Sequence, residues 1–402
     1  MLAFVYSPLY FFETWLLAFM LCRWIKACIG DKYQKPIKIF VYIIFIFAAL
    51  AMPIGFLLPA SKAKNAFQHY GSIWLGVLMY AGFPTLCYLG FCLVWRIHKM
   101  IKGSTESLER PRKVAVTAAT VSIIFVIVMC TYGMFHATDT RITEYTLEVE
   151  KGEGKLDSLN AVLIADTHMG YNIGCKEMQR MADKINECNP DIVFFAGDIF
   201  DNSYDALDDP EKLIEIYKSI KTKYGIYACY GNHDVDEAVL AGFTFDYSGK
   251  KESDPRMDDF LKRAGIKLLM DEGELIADSF YVYGRPDLAK PGRGINERKT
   301  PDKIMEEAPS GYPVIVLDHE PDEVKALSAA GVDVALCGHT HDGQIFPANL
   351  LVKLVFDNSY GYKKFGNMDS IVTSGVGLFG PFMRVGTISE ICNIKIKFTP
   401  YQ

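Results

Sequence analysis

Four apolar stretches occupy the first third of the chain, near Leu2 to Cys22, Ile37 to Leu58, Ile73 to Val94 and Val114 to Phe135. Each reaches the roughly 20 residues that a helix needs to cross the hydrocarbon core of a bilayer, and four in a row joined by short basic links do not fit a water-soluble core. They predict a membrane region of four transmembrane helices over residues 1–136 and leave residues 142–402 for a separate domain. Charge divides the same way. Through Asp139 the chain has 13 Lys/Arg against 5 Asp/Glu, and beyond it 29 against 43, within an overall net charge of −6. The basic residues lie in the links and the remainder is acidic, so no nucleic-acid surface is indicated. All four Trp (Trp15, Trp24, Trp74, Trp95) fall in the basic part, three of them near segment ends, where aromatic belts form.

Orientation follows from the links, because cytoplasmic loops carry the excess of Lys and Arg. The first link has Arg23, Lys26, Lys32, Lys35 and Lys38, and the third has Arg96, Lys99, Lys102, Arg110, Arg112 and Lys113. The second offers only Lys62 and Lys64. Links one and three are therefore expected inside, with the N-terminus and everything after Phe135 on the extracellular side of the cell membrane. The basic residues follow the first apolar stretch instead of preceding it, which does not fit a cleavable signal peptide. Glu13 lies inside that stretch, where a charge either lines the bundle or tilts toward the surface. The cysteines divide five and five between the two parts with no paired spacing, and read as small apolar fillers.

After a short polar connection near His136 to Thr143, apolar strand-like runs alternate with amphipathic segments. Ala161 to Ala165, Ile192 to Ala196, Gly225 to Tyr230, Val314 to Leu317 and Val332 to Cys337 have the length and composition of buried strands. Helical spacing joins Met178, Met181, Ile185 and Cys188, and further helices are expected around Leu213 to Ile220 and Val324 to Ala329. The pattern is that of a layered α/β domain, with smaller β-rich segments around Ile266 to Tyr283 and at the C-terminus. Phe243 to Pro255 reads as a surface loop near the site.

Each of the five strands runs into polar residues of a restricted kind: Asp166-Thr-His168, Gly197-Asp198-Ile-Phe-Asp201, Gly231-Asn232-His233-Asp234, Asp318-His319 and Gly338-His339-Thr-His341. Ligands bind at the carboxyl ends of strands in α/β sheets, so these residues can converge. Five of the eight histidines lie after residue 140, and all five fall at these strand ends. Scattered surface histidines would not do so. In extended backbone, side chains at i and i+2 share a face, which would aim Asp166 with His168, and His339 with His341, into one cavity. Mixed carboxylate, imidazole and amide donors suit Mn²⁺, Fe²⁺ or Zn²⁺, and the lack of cysteine argues against a structural zinc site. Two such ions about 3.5 to 4 Å apart can hold a bridging hydroxide and clamp a phosphoryl group for in-line attack. Asp198 is the natural bridge between them.

Taken in order, Asp-x-His, Gly-Asp-x-x-Asp, Gly-Asn-His-Asp, a lone His and Gly-His-x-His resemble the calcineurin-like metallophosphoesterase superfamily. The stretches LIADTHMG and GHTHDGQIFP are similar to a bacterial membrane-associated branch in which transmembrane helices precede the enzyme domain. The resemblance covers roughly residues 142 to 400. It implies an α/β/β/α sandwich, a binuclear metal hydrolase, Asp166, His168 and His341 on one metal, and Asn232, His319 and His339 on the other, with Asp198 shared. It further implies His233 as proton donor to the leaving oxygen, oriented by Asp201. Asp234 is expected as a supporting residue or as the N-cap of a helix beginning near Glu237. Asp342 stands where the branch would have glycine. Gln344 and Arg285 are candidates to reach a phosphate.

Other readings compete with this one. Gly375-Val-Gly377-Leu-Phe-Gly380 fits a dinucleotide spacing, but no helix follows to receive a pyrophosphate, so a glycine-rich loop is expected. The metallo-β-lactamase His-x-His continues as His-x-His-x-Asp-His early in its domain, which His339-Thr-His341-Asp342 does not. A non-catalytic membrane sensor or scaffold that binds a phosphorylated ligand is the alternative from another class, and such a site would be expected to have lost a ligand or His233. Monoesters, diesters and pyrophosphates share these ligands and are not separated by motif. Four helices exceed what a tether requires, which points either to a lipid or lipid-linked substrate and membrane lipids as partners, or to anchoring alone.

Overall fold

The computed structural model describes residues 2–30, 34–102, 112–150, 153–237, 239–240, 243–244, 252–290, 295 and 297–400. It opens with helices α1 (Leu2–Ile29), α2 (Gln34–Leu57), α3 (Lys62–Ile101) and α4 (Arg112–His136). Among the described residues, α2, α3 and α4 are long and apolar enough to cross a membrane. The fourth expected span is helical as α1 over 28 residues, with Glu13 the one charge inside its apolar run Leu2 to Cys22. Tyr10 donates to the Ala49 carbonyl and the Trp24 indole to the Thr120 hydroxyl, both at 3.0 Å, tying α1 to α2 and α4. The Glu13 carboxylate sits over Gly82 of α3 and so faces the bundle.

α3 has 40 residues, about 60 Å at 1.5 Å per residue. That is about twice the hydrocarbon core of a bilayer. Its first turns run along the following domain instead: Asn65 donates to the Ala206 carbonyl at 3.0 Å, and His69 and Ser72 meet the Asn172 side-chain oxygen at 2.9 and 3.0 Å.

Strand β1 (Thr140–Val149) begins four residues after α4 ends. The sequence suggested a polar connection there. Charged Arg141, Glu144 and Glu148 disguise an alternating edge strand, and its partner is 249 residues away. There follow β2 (Ser158–Ile164), α5 (Cys175–Glu187), β3 (Ile192–Ala196), α6 (Pro210–Lys218), β4 (Ile226–Cys229), a hairpin of β5 (Val239–Leu240) and β6 (Phe243–Thr244), α7 (Pro255–Arg263) and β7 (Ile266–Leu268). The second half holds β8 (Glu272–Ile276), β9 (Phe280–Gly284), α8 (Pro301–Glu307), β10 (Val314–Leu317), α9 (Val324–Ala330), β11 (Val334–Cys337), α10 (Ala348–Val355), β12 (Gly361–Phe365), β13 (Met368–Val372) and β14 (Ser389–Phe398). Helix starts are marked locally: Asp209 and Asp254 cap α6 and α7 through their side chains, each with proline in the first turn. The loop expected at Phe243 to Pro255 lies for the most part outside the described residues.

The strands form two six-stranded sheets, ordered β1-β14-β2-β3-β4-β7 and β12-β13-β11-β10-β9-β8. β2, β3, β4 and β7 are mutually parallel, as are β9, β10, β11 and β13. Both centres are therefore apolar on both faces. Leu163, Phe194 and Ile394 of one sheet meet Val282, Leu317 and Leu336 of the other in the middle of the domain. Met178, Leu213 and Phe260 of α5, α6 and α7 cover the outer face of the first sheet, and Ile304 and Leu327 of α8 and α9 that of the second. The result is the expected α/β/β/α sandwich. Its parallel strands aim their carboxyl ends at one edge.

Candidate metal centre

At that edge β2 delivers Asp166 and His168, β3 Asp198, β4 Asn232 and His233, β10 His319, and β11 His339 and His341. The turns are not extended. Asp166, His168, His339 and His341 have φ of 55°, 43°, 72° and 51°, and Asp198 has 52°. The side-chain pairs thus converge through left-handed turns, not through the i, i+2 alternation of a strand. Each such residue stores about 1–3 kcal/mol, and strain of this kind concentrates at functional sites. Asp342 is also left-handed, with φ 50° and ψ 31°. That explains why a glycine is expected there and why Asp, which tolerates this region better than most residues, can replace it.

Close packing accounts for the glycines beside the ligands. A Cβ on Gly231 would press on Asp198 Oδ1 and lie 2.6 Å from the His319 ring.

Asp166, His168 and His341 bring their ligand atoms together, as do Asp198, His319 and His339, with all atoms of each group within 4.8 Å of one another. Asn232 Oδ1 lies 3.0 Å from His339 Nδ1 and so joins the second group. Asp198 Oδ2 faces both groups, 3.0 Å from His319 Nε2 and 3.7 Å from His168 Nε2. The donor chemistry calls for a cation. His319 Nδ1 is committed to the Ala196 carbonyl at 2.8 Å, which fixes the ring and turns Nε2 toward Asp198 and, at 4.0 Å, Asp166. His168 Nε2 and His341 Nε2 face each other at 3.1 Å, 3.5 Å in the latter case from Asp166 Oδ1. Opposed ring nitrogens and carboxylate oxygens in a dry pocket repel unless positive charge sits among them.

Burial sets the protonation states. It lowers the His168 and His339 rings to about 4 and His233 to about 3, leaving neutral imidazoles with lone pairs. It lifts the Asp166 and Asp201 carboxyls to about 7. At Asp198 burial acts upward too, but the facing His319, itself held above its usual range by Asp198 and Asp166, outweighs it and keeps the carboxyl well below its usual range.

His233 lies beside the two groups, its backbone N–H donating to Asp198 Oδ1 at 2.7 Å. Its ring is held by Asn202, whose side-chain oxygen meets Nδ1 in a short contact. Asp201, the residue expected in that place, faces His168 Nδ1 at 3.8 Å and also lies with His168 and His233 in a third group whose ligand atoms are all within 4.8 Å of one another. Asn202 has φ 58°, and its side chain is the one set against His233 Nδ1. Asp234 caps no helix among the described residues. Its carboxylate accepts from the backbone N–H of Phe200 at 2.8 Å and Gly231 at 2.7 Å, locking the β3 and β4 turns together.

Arg285 and Gln344, expected to reach phosphate, are engaged elsewhere. Arg285 is buried and bridges Asp318 at 2.6 Å and Glu323 at 2.8 Å, beside Arg298, which contacts the same two carboxylates. Gln344 donates to the carbonyls of Phe379 and Pro381 and accepts from Phe379 N–H. It thereby pins the glycine-rich loop, which is a wall of the site and not a dinucleotide cradle. A Cβ on Gly377 would stand 2.6 Å from the Asp166 carbonyl. Phe379 packs its ring 4.5 Å from His233 and 5.7 Å from His168. Buried Arg384 donates to the loop carbonyls of Ser374, Gly375 and Gly377 at 2.7, 3.0 and 2.8 Å. Nothing in the local sequence marks Phe379 or Arg384 as site residues, since both reach it from a loop after β13.

Residues 159–343 match the family model for calcineurin-like phosphoesterases. A transmembrane protein with metallophosphoesterase domain from Danio rerio is 27% identical over 344 residues, covering 81% of this chain and 74% of the relative. An uncharacterized metallophosphoesterase of Campylobacter jejuni is 26% identical over 379 residues, 93% of each chain, an alignment long enough to take in the N-terminal helices. The UDP-2,3-diacylglucosamine pyrophosphatase LpxG of Chlamydia trachomatis is 24% identical over 238 residues, covering 51% of this chain and 70% of that one. The class uses a dinuclear metal centre, and the strand-end groups supply the Asp and His donors for one. Residues 159–343 thus match a calcineurin-like metallophosphoesterase domain, which makes the chain a hydrolase whose domain follows helices long and apolar enough to cross a membrane.

Proposed function

We propose that the protein is a multi-pass membrane phosphoesterase, with a membrane region of residues 1–136 in which α1 is a fourth crossing, and with its N-terminus and catalytic domain on the extracellular side. Asp166, His168 and His341 hold one divalent ion, Asn232, His319 and His339 hold the second, and Asp198 is shared. Mn²⁺, Zn²⁺ and Fe²⁺ all suit these donors. The observation that carries the reading is the convergence of two Asp/His groups on one carboxylate at the carboxyl edge of both sheets. The substrate is a phosphomonoester, phosphodiester or pyrophosphate on a lipid or lipid-linked molecule at the outer membrane face. The name of the Chlamydia relative, a pyrophosphatase of a diacylated sugar nucleotide, favours this substrate class.

Two bound ions would supply Lewis acidity and an activated water for in-line attack at phosphorus. The chain contributes the rest. Asp198 sets the spacing of the two groups. His233 donates a proton to the leaving oxygen and keeps that proton only while an anionic substrate lies against it, and Asn202 holds its ring. Phe379 covers His233 and His168 on one side and limits water there.

The test is a phosphoester panel on the purified full-length protein, with Mn²⁺ and Zn²⁺ compared and metal content measured. Wild type is expected to turn over an aryl phosphodiester, and His233→Ala to lose about 10² to 10⁴ in kcat. Asp198→Asn is expected to lose metal and activity together. Full activity in Asp198→Asn would overturn the assignment.

A further inference from the structure

α10 is anomalous for a domain surface. None of its eight residues is buried, and Leu350, Leu351, Leu354 and Val355 stand exposed, the last two at 83% and 74%. Beyond the four N-terminal helices, seven large hydrophobic side chains are exposed among the described residues, and five of them, Phe346 included, lie between residues 346 and 355. Lys353 is the one charge on the helix. An apolar patch of this kind marks a contact surface.

Its position says what covers it. The Tyr80 hydroxyl of α3 donates to the Phe346 carbonyl at 3.2 Å. Ile345, Met383 and Val385 pack with Tyr80 and Cys130 of the bundle, and the Arg384 N–H donates to the Gly133 carbonyl of α4 at 3.0 Å. On α3 no residue from Ile73 to Trp95 is charged. That run measures about 34 Å at 1.5 Å per residue, close to one hydrocarbon core. Tyr80 therefore lies about 10 Å inside its outer end, and α10 starts at the same level.

The helix also frames the metal centre. It leaves the His341–Gly343 turn within a few residues, and the residue after it, Phe356, packs its ring 5.9 Å from His339.

We infer that α10 is immersed in the acyl layer of the outer leaflet and forms the membrane-facing lip of the active site. The substrate is then an amphiphile whose phosphoester reaches the metal centre while its chains stay in the bilayer beside Leu350 and Leu354. Lys353 lies where it can reach lipid phosphates at the headgroup level. The substrate part of this inference rests on the phosphoesterase reading, whereas immersion of α10 does not.

The test uses the full-length protein, with exposed Cys28 and Cys87 changed to serine, in phosphatidylcholine–phosphatidylglycerol vesicles. An environment-sensitive dye is placed at Leu354→Cys and, as a control, at Lys397→Cys, on an exposed residue at the far end of the sheet. Lipid brominated along its chains is expected to quench the Leu354→Cys dye at least about two-fold more than the control, as immersion of 5–10 Å requires. Equal quenching overturns immersion, and so does a dye shielded from water but blind to brominated lipid, which would mean a protein partner or a second copy. In a second arm, Leu350→Glu/Leu354→Glu is expected to lose about ten-fold or more of turnover on a p-nitrophenyl phosphodiester of diacylglycerol in vesicles, because charge is expelled from the acyl layer. Hydrolysis of water-soluble bis(p-nitrophenyl) phosphate should stay within about two-fold. Equal effects on both substrates overturn the lip. Wild type inactive on both would instead sink the phosphoesterase reading and leave the quenching result to decide immersion.

Discussion

Arg285→Met tests whether this arginine holds the fold or the substrate. In the structure Arg285 and Arg298 neutralise Asp318 and Glu323, with N–O distances between 2.6 and 2.9 Å. The side chains of Arg285 and Asp318 are each 1% exposed, whereas Glu323 is 32% exposed and partly screened by water. Methionine keeps the volume but leaves two carboxylates sharing one guanidinium, so a net negative charge is buried. Removing one partner of a buried pair costs about 3–5 kcal/mol. At about 2–4 °C per kcal/mol for a domain of this size, the apparent Tm should fall by roughly 6–20 °C. Tryptophan fluorescence would miss it, because all four Trp lie in the helical region. Reaction of a thiol dye with buried Cys229, Cys337 and Cys392 on heating reports the catalytic domain directly. Adding Asp318→Asn removes part of the unmatched charge and should recover part of the loss. KM for a soluble aryl phosphodiester should stay within about two-fold below the melting range. A Tm within about 2 °C of wild type, with KM raised about ten-fold or more, would refute the structural role and return Arg285 to the substrate.

Three further outcomes are expected. Asn202→Ala should lower kcat about 10- to 100-fold with metal content retained, since it removes the group that orients His233, and a loss confined to Asp201→Asn would contradict this. Gly377→Ala should destabilise the domain and lower activity, because its methyl would meet the Thr167 and Asp166 carbonyls under the site, and a variant with wild-type Tm and kcat would show that the loop can move away. Chelation should abolish turnover and lower the Tm of the catalytic domain, by an amount that corresponds to about 2.7 kcal/mol for ions at 100 times their Kd. Thiol-dye melting with and without chelator checks this, and an unchanged Tm would mean that the strand-end groups bind nothing.

The local signals were legible without coordinates. Apolar runs marked β3 and β10 to the residue, and the placement of His168, His233, His319, His339 and His341 at strand ends reveals the site, because strand hydrophobicity and polar strand ends are properties of short windows. β1 escaped because its edge position puts charges on the strand and its partner is β14, at the other end of the domain.

What the tertiary structure decided depends on distant partners and on backbone turns. Asp201 and Asn202 are adjacent, and the fold sets the Asn202 side chain against His233 Nδ1 while Asp201 also faces His168. Arg285 looks like a phosphate ligand until Asp318 and Glu323 arrive from the end of β10, with Arg298 beside them, and occupy its charge. The ligand pairs converge by strained turns, which no side-chain pattern records. By itself the sequence pointed to apolar N-terminal helices, to the sandwich and to Asp and His residues that could hold metal, since those follow from composition and short-range order. Which of them meet, and that α10 stands uncovered beside the bundle, was decided by packing across the whole fold, where a side chain's role is set by the neighbours that satisfy or abandon it.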